Sequence, residues 1–363
     1  MPDAASRHPE LIVRQAEPFN AGPPLARLRQ SLITPNDLFY IRSHGAVPSV
    51  DAARYRLKVS GRVERPHSFS LAELQALPNT SLTASLLCAG NRRDELIAIK
   101  PVPGETPWGA EAVSTAVWTG ARLGDVLRAA GAAPGGGHAA MLGLDAVEAH
   151  GAPPAPFGGS IPLAQALEGE ALLAWEMNGQ PLPPEHGYPL RAIIPGVIGA
   201  RSVKWLAEIS VQAEPSRNYY QVHAYKLFPP QAGPDDADWE CAPMLAEYPV
   251  NAVICEPGPG ARLPAGPTQV RGYALAGGGV PLAWVDVSAD GGRAWQLAEP
   301  GEDAGRWAWR LWSARVTLPR GPAELVVRAR DAHGNQQPAE VAAVWNFKGY
   351  LNNAWHRVRV VGV

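Results

Sequence analysis

Cysteine is scarce in this chain. Three occur in 363 residues, Cys88, Cys241 and Cys255. None forms a CxxC pair, which argues against a structural zinc site and against c-type haem attachment. An odd, small count fits a reducing compartment, so a cytoplasmic location is expected. Long apolar runs are missing too: no stretch reaches the roughly 20 residues of a membrane-spanning helix. The opening MPDAASRHPELIVRQAEPFN has no apolar core and no twin arginine, so no export signal is expected, and the closing VVGV is no peroxisomal address. A charge surplus is lacking as well: 32 basic against 34 acidic residues leave a net charge of -2, which recommends neither nucleic acid nor an anionic membrane as partner. The glycine-rich APGGGHAA (133–140) has neither the GxGxxG spacing nor the Lys-Ser/Thr of a phosphate loop.

What is present is a globular composition, 46% hydrophobic and 18% charged, on a chain long enough for two domains. With 37 glycines and 37 prolines, many loops and turns are expected. Residues 1–30 read as an extended lead-in. RYRLKVSGRV (54–63) alternates as a strand does. In SFSLAELQALP (68–78), Ser70 and Glu73 stand at capping-box spacing and predict a short helix ending before Pro78. LTASLLC predicts a buried strand that delivers Cys88 to its end, and GARLGDVLRAAG (120–131) predicts a helix. After about residue 245 the pattern changes to short alternating strands. LAWVDVS and RAWQLAE flank ADGG as the arms of a hairpin, and an all-β sandwich is expected there. Seven of the twelve tryptophans fall in this last third, as core, rim or subunit-contact aromatics.

Two local features carry chemistry. In SLLCAGNRRDEL (85–96) a cysteine at a strand end is followed by a glycine turn and by Arg92 and Arg93. A buried free cysteine is ordinarily a small hydrophobe. Adjacent cations and open backbone amides favour a thiolate, which serves as a nucleophile or as a soft metal ligand, and the local sequence does not choose between them. In RWAWRLW (306–312) alternation puts Trp307, Trp309 and Leu311 on one face and Ala308, Arg310 and Trp312 on the other. Arg310 reads either as a solvated arginine stacked on Trp312 or as a cation reaching from the β region into a site on the first domain.

The CAGNRR segment resembles the molybdenum-ligating segment of the sulfite oxidase family. FYIRSHGAVP (39–48), WGAEAVSTAVWTGARLGDVL (108–127), the long block LLAWEMNGQPLPPEHGYPLRAIIPGVIGARSVKWL (172–206), YKLF (225–228) and NAWHRV (353–358) follow the family's order. The resemblance implies an α+β chain: a mixed α/β molybdopterin-binding domain over 31–240, after the lead-in, and an immunoglobulin-like β-sandwich dimerisation domain over 241–363. It implies a mononuclear molybdenum enzyme with a pyranopterin cofactor, Cys88 as the protein's one metal ligand, and oxidation of sulfite to sulfate. Arg42, Arg93 and Arg310, with Trp108 and Tyr225, match the family's anion pocket, where the planar fork of arginine suits an oxyanion. Tyr40, Ile41, Arg42, Ser43 and His44 match the pterin-binding set, together with Asp145, His186, Arg191, Ser202, Val203 and Lys204. The segment between Cys88 and Trp108 is slightly longer than the family pattern. The lead-in is too short for a b5-type haem domain and no CxxCH occurs, so no haem is expected. Electrons then go to oxygen or to a separate carrier such as cytochrome c, and a homodimer is expected through the C-terminal domain. Alternative readings are a nitrate reductase-type molybdenum domain, a reductase of another oxyanion or sulfoxide, and a non-catalytic oxyanion-binding module.

Overall fold

The structure, a computed structural model, describes residues 7–148 and 153–363. Among these the longest α-helices, Arg93–Ile99 and Leu123–Ala129, have seven residues each, so strands carry the architecture and the fold is α+β. The predicted elements form for the expected local reasons. In Arg56–Gly61, Leu57 and Val59 are buried while Arg56 and Lys58 face solvent. The Leu71–Gln75 helix is closed by a reciprocal capping box. Ser70 Oγ accepts from the Glu73 N–H at 3.2 Å, and the Glu73 carboxylate accepts from the Ser70 N–H at 2.7 Å.

Two expectations are corrected. Residues 120–122 belong to the strand Val113–Arg122, and the helix starts only at Leu123. Gly120 is there because a Cβ would lie 2.0 Å from the Leu173 carbonyl oxygen of the neighbouring strand, so close backbone approach, not helix propensity, decides that position. The described part of the lead-in is not a loose extension. Ile12–Gln15 and Asn20–Gly22 pair as a hairpin, Leu25–Leu28 is helical, and Arg14 bonds Glu111 at 2.6 Å. Residues 1–6 lie outside the described residues.

The first domain holds two five-stranded sheets. One runs Gln180–Pro181, Leu172–Met177, Val113–Arg122, Asn79–Leu87, with Arg191–Ile193 also paired to Leu172–Met177. The other runs His67–Ser70, Arg56–Gly61, Leu206–Gln212, His138–Val147, Ala155–Pro162, and the core fills the space beneath them. From Asn251 onward two sheets face each other as a sandwich. A four-stranded sheet contains Asn251–Glu256, Gly266–Leu275 and Arg310–Leu318; a five-stranded sheet contains Leu282–Ser288, Gly321–Asp331 and His356–Gly362. The four-stranded sheet is buried on both faces. Ala252, Ala274, Trp312 and Ala314 pack into the sandwich, whereas Val253, Tyr273, Trp309 and Leu311 pack against Leu87, Ala110 and Val113 of the first domain.

That second face fixes the cysteine loop. The Tyr273 hydroxyl donates to the Ala110 carbonyl at 2.7 Å and accepts from the Asn91 amide at 3.2 Å. Arg92, in the left-handed region at φ 63° and fully buried, forks onto the Glu95 carboxylate at 2.7 and 2.8 Å and reaches the Asn251 side-chain oxygen at 2.8 Å. Arg92 is thus a tie between the domains. We expect Arg92→Met to cost toward the lower end of about 3–5 kcal/mol, the range for breaking a buried ion pair, because Glu95 remains partly hydrated. Denaturant unfolding of the two proteins measures it.

Candidate active site

The strand Asn79–Leu87 delivers Cys88 at its end: Leu87 is the last residue paired with Val113–Arg122, and it also makes a parallel bridge to Ile198. The cysteine is buried, its N–H donates to the Ala112 carbonyl at 2.9 Å, and its own carbonyl accepts from the Asn91 N–H at 3.0 Å. At Gly90 a Cβ would lie 2.6 Å from the Arg93 guanidinium carbon, which folds back beneath the loop, so any larger residue would displace that side chain. Arg93 Nε donates to the Gly349 carbonyl at 2.9 Å and Nη1 to the Thr106 carbonyl at 2.8 Å, while Nη2 lies 3.4 Å from the Glu105 carboxylate.

A pocket opens beside Cys88. Tyr40, Arg42, Ser43 and His44 line one side. Asp145, His186, Arg191, Ser202, Lys204 and Tyr225 close it. At one end Lys204 Nζ donates to Ser43 Oγ and to the Glu185 carbonyl, both at 2.8 Å. Arg191 donates to the carbonyls of His186 at 2.9 Å and Ser202 at 3.2 Å, and Ser202 Oγ accepts from the Ile194 N–H at 2.9 Å. Both cations thus rest on neutral oxygens. Burial pushes Arg191 down to about 10; burial and the Arg191 charge push Lys204 down to about 7. His186 is driven to about 3 by burial and by Lys204 and Arg191, so it is neutral. Burial raises the Asp145 carboxyl against the pull of Lys204, and Asp145 Oδ1 finds no partner among the described residues.

At the other end the Tyr225 hydroxyl lies 3.0 Å from His44 Nε2. Burial, then the charges of Arg42, Lys204 and Arg93, hold His44 well below its usual range, so its neutral ring accepts from the Tyr225 O–H. His44 stacks on Phe157 at 4.7 Å, and the far face of Tyr225 stacks on Tyr350 at 5.3 Å. Arg42 donates to the Ser43 carbonyl. Trp108 is fully buried, edge-on to Tyr40 at 6.4 Å, with no acceptor for its indole N–H among the described residues.

The remaining predicted residues are placed elsewhere. Ile41 pairs through its backbone with Ala21 and packs on Leu11 and Leu38, and Val203 lies in the domain core with its carbonyl accepting from Ala192. Both hold their neighbours and neither lines the pocket. Arg310 is a correction. It lies on the sandwich side of its strand, pairs with Asp303 and donates to the Gly301 carbonyl at 3.0 Å, in a separate cleft with Trp284 and Trp312. Alternation gives the first-domain face to Trp309 and Leu311, so Arg310 cannot share it. The cation that the β domain sends toward the site is Lys348, beside Tyr350, on a loop that crosses back to Arg93. Lys348, Tyr350 and Glu105 were not found in the sequence. The clue was FKGY, where Gly349 adopts φ 63° and a Cβ would lie 2.8 Å from the Arg93 side chain.

These residues suit a pterin carrying a phosphate. Cys88 lines the pocket, two buried cations rest on neutral oxygens, and Asp145 Oδ1 on the pocket wall has no partner among the described residues. Residues 44–220 match the family described as oxidoreductase molybdopterin binding domain, and residues 242–362 match the Mo-co oxidoreductase dimerisation domain. Sulfite oxidase of Gallus gallus is 46% identical over 362 residues, covering 97% of this chain and 78% of that protein. Sulfite oxidase of Arabidopsis thaliana is 39% identical over 97% of this chain and 94% of its own length. Among solved structures, the sulfane dehydrogenase SoxCD from Paracoccus pantotrophus superposes with a TM-score of 0.81 at 25% identity, over 99% of this chain and 87% of that one. Fold and pocket therefore define a molybdopterin oxidoreductase. Within that class, the chain belongs to the sulfite oxidase family.

The neutral His186 has a pH consequence. Its value lies below the 6.5 of an unfolded histidine, so the unfolded chain binds the extra proton first. Stability is complete above 6.5 and is lost as pH falls from there toward 3. Melting temperatures at pH 7 and pH 5 are expected to fall more for the wild type than for His186→Gln.

Proposed function

We infer that this chain oxidises sulfite to sulfate at a mononuclear molybdenum–pterin centre. The observation that carries this reading is that Cys88 lines one pocket with a cationic, phosphate-suited end at Arg191 and Lys204 and an oxyanion-suited end at Arg42 and Tyr225, with Arg93 buried under the cysteine loop beside it. When bound, the molybdenum–pterin group supplies oxygen-atom transfer and takes up two electrons. Everything else falls to the chain. Arg191 and Lys204, with Ser202 and Ser43, hold the cofactor's phosphate end, and Asp145 and His186 take polar edges of the pterin. Cys88 provides the one soft ligand that such a metal needs.

Substrate handling falls to the other end. Arg42 and Arg93 draw in and orient a small sulfur oxyanion through charge-assisted hydrogen bonds. The Tyr225 hydroxyl stays protonated because burial raises its pKa, and an anion in the pocket would take over the O–H that His44 Nε2 accepts in its absence. Phe157 and Tyr350 wall the two rings off from water. Water and sulfite together yield sulfate, two protons and two electrons, and the electrons pass to oxygen or an external carrier such as cytochrome c. A homodimer through the C-terminal domain and a reducing, cytoplasmic setting for the three free cysteines complete the proposal.

Two measurements test it. Cys88→Ser is expected to lose sulfite turnover while keeping its fold, as judged by circular dichroism; full activity would refute the ligand assignment. Arg42→Met is expected to raise the Michaelis constant for sulfite by a factor of roughly ten or more, from loss of about 1.5–3 kcal/mol per charged hydrogen bond. Arg310→Met, remote from the pocket, should leave that constant unchanged.

A further inference from the structure

We propose that Glu105 is a resident counter-charge of the oxyanion site, which holds down affinity for sulfate and so keeps the product from blocking the pocket. This deepens the sulfite-oxidising reading and rests on it. Glu105 sits on the loop between Arg93–Ile99 and Val113–Arg122. One carboxylate oxygen is 2.8 Å from Lys348 Nζ, and the other is 3.4 Å from Arg93 Nη2. Both Glu105 and Lys348 are largely buried, with side chains 17% and 16% exposed. The group is charged: burial would raise its pKa, but Arg93, Lys348 and Arg42 together bring it below the usual carboxylate range.

The location ties this carboxylate to the pocket. The Arg93 guanidinium lies 5.1 Å over the Tyr350 ring, and Lys348 Nζ lies 5.7 Å from it; the same ring stacks on Tyr225. Arg93 directs Nε and Nη1 to carbonyls and Nη2 toward Glu105, so an incoming anion would compete with Glu105 for this guanidinium. Arg42, Arg93 and Lys348 carry three positive charges and Glu105 carries one negative, leaving two. Three bare cations would bind any small anion more tightly, and the fully ionised dianion sulfate most of all. Tighter binding of substrate and product alike lowers KM without speeding the chemical step. Glu105 prevents that excess while leaving enough charge to capture sulfite.

The test is calorimetric titration of sulfate into the oxidised holoenzyme, with steady-state kinetics alongside. In Glu105→Gln the sulfate dissociation constant should fall about tenfold, the equivalent of 1.4 kcal/mol. KM for sulfite should fall with it, and the apparent KM should become more sensitive to added sulfate. Glu105→Asp, which keeps the charge, should behave like the wild type. Glu105→Gln combined with Lys348→Met, which restores the charge count, should return sulfate affinity toward the wild-type value and keeps the test sound if the single variant is unstable. Unchanged or weaker sulfate binding in Glu105→Gln would overturn the proposal, as would Asp and Gln variants that behave alike. If the wild type binds sulfate and Arg42→Met abolishes binding, but Glu105→Gln does nothing, this inference alone fails. If the wild type binds no sulfate and turns over no sulfite, the reading of the pocket itself fails.

Discussion

The structure depends on how the loop after Cys88 is held. Arg92 is buried, strained into the left-handed region and paired bidentately with Glu95, with Asn251 of the β domain taking its third donor. Its carbonyl accepts from Asn352 at 2.9 Å, so three segments far apart in the chain meet on one residue. A buried charge of this kind gains little net stability over an apolar pair, yet removing one partner is severe. It therefore works as a registry device. With Arg92 seated, Asn91 reaches Tyr273, Gly90 clears the way for Arg93, and Cys88 is placed on the wall of the pocket.

From that anchor the site divides into two electrostatic halves. Arg191 and Lys204 are buried on neutral oxygens, a costly state that an anion would relieve. Arg42, Arg93 and Lys348 meet Glu105 in the second half, which is closed by the Tyr225–Tyr350 stack. The β domain is thus more than a surface for association, because its 346–350 loop supplies Tyr350 and Lys348 beside Arg93. The two-sided burial of its four-stranded sheet makes that contribution possible, since Trp309, Leu311 and Tyr273 dock the loop's neighbours on the first domain.

Local order was legible where short-range physics decides it. The Ser70–Glu73 box needs only residues three apart, and the alternation of Leu57 and Val59 needs only a strand with one wet face. Gly120 misled because its reason is the Leu173 carbonyl on a strand more than fifty residues away. Arg310 misled because alternation along RWAWRLW sorts side chains into two faces without saying which face meets the other domain. Arg92 and Arg93 are neighbours in sequence with the same charge, yet one braces the domain boundary and the other lies by the pocket.

The sequence by itself determined the chemistry on offer: one thiol at a strand end, a reserve of arginines, and the pattern of a molybdopterin enzyme joined to a β-sandwich. Those properties belong to residue types and near neighbours, which the chain order preserves. Only the tertiary structure decided which cations face the pocket, that Lys348 and not Arg310 is the β domain's contribution, and that Glu105 sits among them. Charge acts across space at distances that loops, not spacing, set, so no reading along the chain could have assigned these partners.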